Sequence, residues 1–218
     1  IDRDKSIIYF GSHDRNVYAV RLDDGTPAWE MPFPTGGAVA GRPLLFRDLV
    51  VVGSFDQKLY AINAASGTLR WQFQGSNWFW AGAVADEQTI FAPSMDGNIY
   101  ALDANGNLLW KHDLGSSIVS RPVLISGGLV VAAKNGREIS LLNTSRVAMG
   151  PERLIDSEFI GDAEIKAPLF ADGDTLYVGT QGSTVTRIDL KAKSTTGQLF
   201  LDEVWCYNTK DDEGCKQP

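Results

Sequence analysis

The chain has 218 residues, 27 acidic against 20 basic side chains, and a formal net charge of −7. Its length allows one large domain or two small ones, and 44% hydrophobic with 22% charged residues is a globular balance, so overall disorder is excluded. The acidic balance argues against nucleic acid, whose phosphates need a basic face, and no apolar run reaches the roughly 18 residues of a membrane helix.

The chain opens on Ile1-Asp2-Arg3-Asp4, which has none of the zones of a signal peptide, and it lacks a starting Met, so an upstream segment is expected to have been removed or omitted. Repetition begins at once. Ile8-Tyr9-Phe10-Gly11-Ser12 is followed by Tyr18-Ala19-Val20-Arg21-Leu22-Asp23-Asp24-Gly25 and then Trp29. Val50-Val51-Val52-Gly53-Ser54 is followed by Tyr60-Ala61-Ile62-Asn63, Ser66-Gly67 and Trp71. Ile90-Phe91-Ala92-Pro93-Ser94 is followed by Tyr100-Ala101-Leu102-Asp103, Asn105-Gly106 and Trp110. Weaker copies run through Ile139-Ser140-Leu141-Leu142 and Val185-Thr186-Arg187-Ile188, and Pro43, Pro122 and Pro168 mark an earlier element of three units.

Each unit divides into four short runs rich in Val, Ile, Leu and Tyr, which predict strands A to D. In the second unit these are residues 38–46, 49–54, 58–64 and 68–74. Asp96-Gly97-Asn98 and Asn135-Gly136 predict B–C hairpins, and Asp24-Gly25 and Ser66-Gly67 predict C–D hairpins. A period of about 40 residues per four-stranded unit is that of a propeller blade. The expected fold is all-β, a propeller or partial propeller of about five four-stranded blades, with Trp29, Trp71 and Trp110 as packing pieces between them.

The pattern Tyr-Ala-x-[Asp/Asn]-x-x-[Ser/Thr]-Gly-x-x-x-Trp, best kept from Tyr60 to Trp71, resembles the tryptophan-docking repeat of the PQQ-like β-propeller family. The resemblance is good over residues 6–125 and degraded to about residue 202. It implies one of two branches. Quinoprotein dehydrogenases carry PQQ and calcium, with an adjacent Cys-Cys pair that this chain lacks. The non-catalytic branch includes the propeller lipoprotein of the bacterial outer-membrane barrel-assembly machinery, and this chain looks more like it. The expectation is therefore a non-enzymatic, extracytoplasmic protein-binding scaffold, in the periplasm or at the cell surface, with no cofactor. A portion of a PQQ-dependent quinoprotein, with PQQ and calcium as its cofactors, and the sensor ectodomain of a membrane protein are the alternatives.

A meander places B–C turns and D–A connections at one edge of the blades. That edge collects Arg15, Phe55 and the aromatic run Trp78-Phe79-Trp80, and exposed aromatics beside arginine are common binding hot spots. Arg42 and Arg121 precede proline at equivalent positions of strand A, where they are expected to line the channel and attract an anionic group. These seven residues form the candidate binding set. No catalytic or metal-ligating set emerges: His13 and His112 belong to no spaced motif.

Blades are assigned to residues 1–202, the first incomplete at its N-terminus, and residues 203–218 to a C-terminal tail. In that tail Val204-Trp205-Cys206-Tyr207 is a candidate closing strand for the first blade, and Cys206 and Cys215 a candidate disulfide closing a small loop.

Overall fold

The structure, a computed structural model, describes residues 1–133, 137–148, 150–160, 164–165 and 167–208. It divides into two compact units, Ile1–Lys111 and His112–Pro218. The described residues form antiparallel sheets and one short 3-10 turn, Gly150–Arg153, and hold no helix long and apolar enough to cross a membrane.

The first unit holds three sheets in chain order. The first sheet has three strands, β1 (Ile7–Gly11), β2 (Asn16–Arg21) and β3 (Phe33–Pro34), and Asp2 joins β1 at Ile7 by a single bridge. The second sheet has four, β4 (Leu44–Phe46), β5 (Leu49–Gly53), β6 (Lys58–Asn63) and β7 (Leu69–Gln74). The third has β8 (Val84–Ala85), β9 (Ile90–Pro93), β10 (Asn98–Leu102) and β11 (Leu108–Asp113), whose end crosses into the second unit. In the second unit, β12 (Val123–Ile125), β13 (Gly128–Ala132), β14 (Glu138–Leu142) and β15 (Leu154–Phe159) form one sheet. The last sheet is β16 (Phe170–Asp172), β17 (Thr175–Gly179), β18 (Thr184–Ala192) and β19 (Leu199–Asn208). Every sheet is a simple meander, so the blade architecture expected from the repeat is the one found.

The near-continuous apolar runs have a direct cause: an interior sheet is covered on both faces. On the second sheet Val50, Val52, Tyr60 and Ile62 point to the first sheet, where they pack with Tyr9, Val17, Ala19 and Trp29. Their alternates, Val51, Leu59 and Ala61, pack with Ile90, Ala92, Tyr100 and Leu102 of the third. In the second unit Val130, Ala132, Ile139 and Leu141 meet Leu176, Val178, Ile188 and Leu201.

Two expectations need correction. Strand A of the second sheet covers only Leu44–Phe46, not residues 38–46. Pro43 has no N–H for a ladder, and residues 36–39 hydrogen-bond to the neighbouring turns instead, as when Phe55 N donates to Ala38 O at 2.9 Å. The segment Val204–Tyr207 does not close the first blade. It lies inside β19 and pairs with β18, with Trp205 opposite Arg187 and Tyr207 opposite Val185. The turn at Gly197, with φ +68, sends the chain back along β18, so the boundary drawn after residue 202 falls within a strand. The Asn135-Gly136 turn and Cys215, with its candidate bond to Cys206, lie outside the described residues.

The fourth sheet lacks the Gly turn and the tryptophan, and an arginine takes over that end. Arg153 is buried and donates to the carbonyls of Asn143, Ser145 and Ala148, satisfying a loop that no glycine turn closes.

In four described B–C turns the third residue after Ser12, Ser54, Ser94 or Thr180 is left-handed: Arg15 at φ 72, Gln57 at φ 70, Gly97 at φ 91 and Ser183 at φ 68. Only one of the four is glycine. Gln57 is exposed, and its carbonyl carries the turn's bond from Gly75 N. Relief of the left-handed strain, offset by glycine's entropy, predicts that Gln57→Gly gains about 0.5–1 kcal/mol. Urea midpoints with an unchanged slope would measure it, and a loss would show that the glutamine side chain is used.

Candidate functional site

The B–C turns repeat Ser-x-Asp-x-x-x-Tyr at Ser12, Asp14 and Tyr18, at Ser54, Asp56 and Tyr60, and at Ser94, Asp96 and Tyr100. Each aspartate closes its own turn and anchors its tyrosine. The Tyr18, Tyr60 and Tyr100 hydroxyls donate to the Oδ2 of Asp14, Asp56 and Asp96 at 2.5, 2.5 and 2.6 Å. The Oδ1 atoms accept the backbone N–H groups of Asn16, Lys58 and Asn98 at 3.0, 3.1 and 2.9 Å. Two of these carboxylates also reach back to the preceding sheet's D–A connection: Gly36 N donates to Asp56 Oδ2 at 2.8 Å and Ser76 N to Asp96 Oδ2 at 3.1 Å.

The electrostatics follow. Burial and then the Asp56 hydrogen bond push the Tyr60 phenol up to about 12, and burial and Asp96 do the same to Tyr100, also to about 12. Burial alone would raise Asp96, but hydrogen bonds from Tyr100, Asn98 and Ser76 outweigh it and hold the carboxyl below its ordinary range. The sequence reading gave these three aspartates no role in the site. The signal was available in a tyrosine set four residues after each of Asp14, Asp56 and Asp96.

At the opposite edge the tryptophans dock forward. Trp29 Nε1 donates to Ala64 O and Trp71 Nε1 to Ala104 O, both at 2.9 Å. The rings lie against glycines of the next sheet's C–D turn: a Cβ at Gly67 would sit 2.7 Å from Trp29 Cδ2, and one at Gly106 2.6 Å from Trp71 Cδ2. Both glycines also hold positive φ, so they serve the turn and the close approach together.

These joints present the aromatic run. Residues 77–82 form the D–A connection ahead of β8, tied to the B–C turns by Met95 N donating to Trp78 O at 2.9 Å. Extended backbone sends alternate side chains to opposite sides. Trp78 and Trp80 emerge 41% and 40% exposed, while Phe79 between them is fully buried. Phe79 packs in the core with its ring 5.8 Å from Tyr100, so it leaves the candidate binding set and anchors the connection from inside. Phe55, half-buried at the neighbouring B–C tip, stacks on both indoles, 4.8 Å from Trp78 and 5.0 Å from Trp80, and tilted by only 8° and 12°. His13 meets Phe55 edge-on at 6.1 Å. Three near-parallel rings from two sequence-distant loops thus form one exposed surface.

Arg15 is exposed on the His13 turn. Arg42 is exposed in the segment that backs onto Trp80, as a Cβ on Gly41 would lie 2.8 Å from Trp80 O and one on Gly82 2.5 Å from Arg42 O. Arg121 is half-buried and belongs to the second unit, whereas Trp78, Trp80, Phe55, Arg15 and Arg42 all belong to the first. Among the described residues no three His, Cys, Asp or Glu side chains gather as metal ligands.

The comparisons agree with this architecture. The family model described as outer membrane protein assembly factor BamB matches residues 4–198. Among solved structures, BamB from Moraxella catarrhalis is similar with a TM-score of 0.72 at 19% identity, over 95% of this chain and 59% of that one. A computationally designed protein, Ika8, is similar with a TM-score of 0.72 at 16% identity, over 92% of this chain and 69% of that one. This chain therefore spans 59% of the length of the Moraxella protein. No curated protein matches the sequence.

Proposed function

Because the chain belongs to the family described as outer membrane protein assembly factor BamB, we propose that it is a non-catalytic scaffold domain that binds another protein through the B–C edge of its first unit. One observation carries the reading: Trp78 and Trp80 are held two-fifths exposed on a rigid, hydrogen-bonded connection, stacked with Phe55 from a second loop. Large aromatic area fixed beside arginines is what a hot spot requires, because the rings lose little freedom on binding. The family description, which names an outer membrane assembly factor, supports an extracytoplasmic setting, in the periplasm or at the cell surface. The reading calls for no cofactor. A titration with PQQ followed by tryptophan fluorescence is the counter-test, and saturable micromolar quenching would replace the scaffold with the quinoprotein alternative.

The direct test is the double variant Trp78→Ala, Trp80→Ala, assayed for pull-down of partner from the native envelope. Partner binding is expected to fall by about a hundredfold or more. The melting temperature is expected to drop by no more than about 5 °C, since what folding loses is surface stacking. A collapse of the melting transition would show the rings to be structural, and unchanged pull-down would move the site elsewhere.

A further inference from the structure

On the B–C edge of the first unit the acceptors are already used and the donors are not. Asp14 accepts from Tyr18 OH and Asn16 N. Asp56 accepts from Tyr60 OH, Lys58 N and Gly36 N. Asp96 accepts from Tyr100 OH, Ser76 N and both the backbone and the side-chain N–H of Asn98. The guanidinium groups of Arg15 and Arg42 make no hydrogen bond or ion pair among the described residues. The same holds for the indole N–H groups of Trp78 and Trp80, whereas those of Trp29 and Trp71 are each bonded to a carbonyl. The edge therefore offers ring faces, two indole donors and two arginine forks, with its own carboxylates held inside the turns.

From this imbalance we infer that the partner element is an extended, acidic peptide segment carrying aromatic or aliphatic side chains; the inference rests on the protein-binding reading above. Carboxylates would take the arginine forks bidentately. Backbone carbonyls of an extended segment are free to accept from indole N–H groups, and apolar side chains would lie on the rings. The chain's net charge of −7 works against an acidic partner only at long range. At physiological salt, screening within about 8 Å leaves the local arginines to decide. A single-stranded nucleic acid also combines negative charge with rings that stack, but its binding normally needs a continuous basic groove, and this edge has two arginines among three aspartates.

Selection of a random-peptide display library on the intact chain tests this. Enriched peptides should be net acidic and aromatic or aliphatic, and a synthesised one should shift the indole N–H resonances of Trp78 and Trp80. Its affinity should fall about tenfold with Arg42→Gln and again with Arg15→Gln. Circular dichroism melts confirm that the variants fold. Enriched peptides that are neutral or basic, yet still require Trp78 and Trp80, would overturn the acidic partner and leave the protein-binding face standing. Failure to enrich any peptide dependent on those tryptophans would sink both. Oligothymidylate binding as tightly as the selected peptide would replace the peptide class with nucleic acid.

Discussion

Trp29→Ala is expected to cost about 3–5 kcal/mol, the usual loss for truncating a large buried aromatic. The ring is 4% exposed, lies 5.7 Å from Tyr9 and rests on Gly67 of the next sheet. Nothing nearby is placed to fill its volume, because Gly67 is fixed by its turn at φ +73. In repeat architectures stability resides largely in nearest-neighbour interfaces, so the loss should be local. Hydrogen exchange should rise in β2, β5 and β6 and stay unchanged in β17 and β18. Equal loss of protection in all five strands would contradict that picture. Trp29→Phe should cost about 2 kcal/mol, the lost indole volume adding to the lost hydrogen bond, although Ala64 O would keep its second donor, the Tyr9 hydroxyl at 3.0 Å.

Asp96→Ala should cost about 2–3 kcal/mol by stranding donors at a partly buried joint. Its four hydrogen bonds come from Tyr100, Ser76 and Asn98, so one truncation loosens the turn and the link to the preceding sheet together. The pH dependence has a sign at each end. The folded Asp96 pKa lies below its ordinary value, so its contribution is present above about pH 4 and is lost as pH falls through the folded value. Tyr60 and Tyr100 are raised from 10.0 to about 12, so theirs is full below pH 10 and is lost as pH rises through about 12. Phenolate absorbance should show Tyr60 and Tyr100 among the late-titrating tyrosines, and Asp96→Ala should lower Tyr100 only part of the way, because burial, the larger cause, remains. A Tyr100 that still titrates near 12 in that variant would mean that burial alone sets its pKa.

The strands were legible where both faces of a sheet are covered, because Val50–Val52 and Ile90–Ala92 are then apolar without interruption. The tryptophans were legible through their constant four-residue distance from the glycine of their own C–D turn, but that each lies against the glycine of the next sheet was not. Strand A was overread because its length depends on what residues 36–43 bond to, and the hydropathy of that stretch does not encode it. The aromatic run was located but not resolved. Alternation sets Phe79 on the side opposite Trp78 and Trp80, but which side faces the core is settled by residues distant in sequence, Tyr100 against Phe79 and Phe55 against the two indoles. The aspartate joints went unseen for a similar reason: Asp56 and Asp96 look like ordinary turn formers until Gly36 N and Ser76 N, each 20 residues away, come to them.

The first two sheets of the first unit each hand a tryptophan forward and receive an aspartate back. Trp29 and Trp71 dock on the following sheet, and Asp56 and Asp96 hold the preceding one. One period of the chain therefore contains a plug for its successor and a clasp for its predecessor, both made to the same pattern. Tandem duplication of one whole period would copy both halves of each fastening in phase, and the duplicate would seat on its parent without any new complementary surface. A duplication of part of a period would separate plug from clasp. Such a protein can change its number of blades in whole steps by copying alone, leaving the exposed side chains beside each clasp free to acquire different partners.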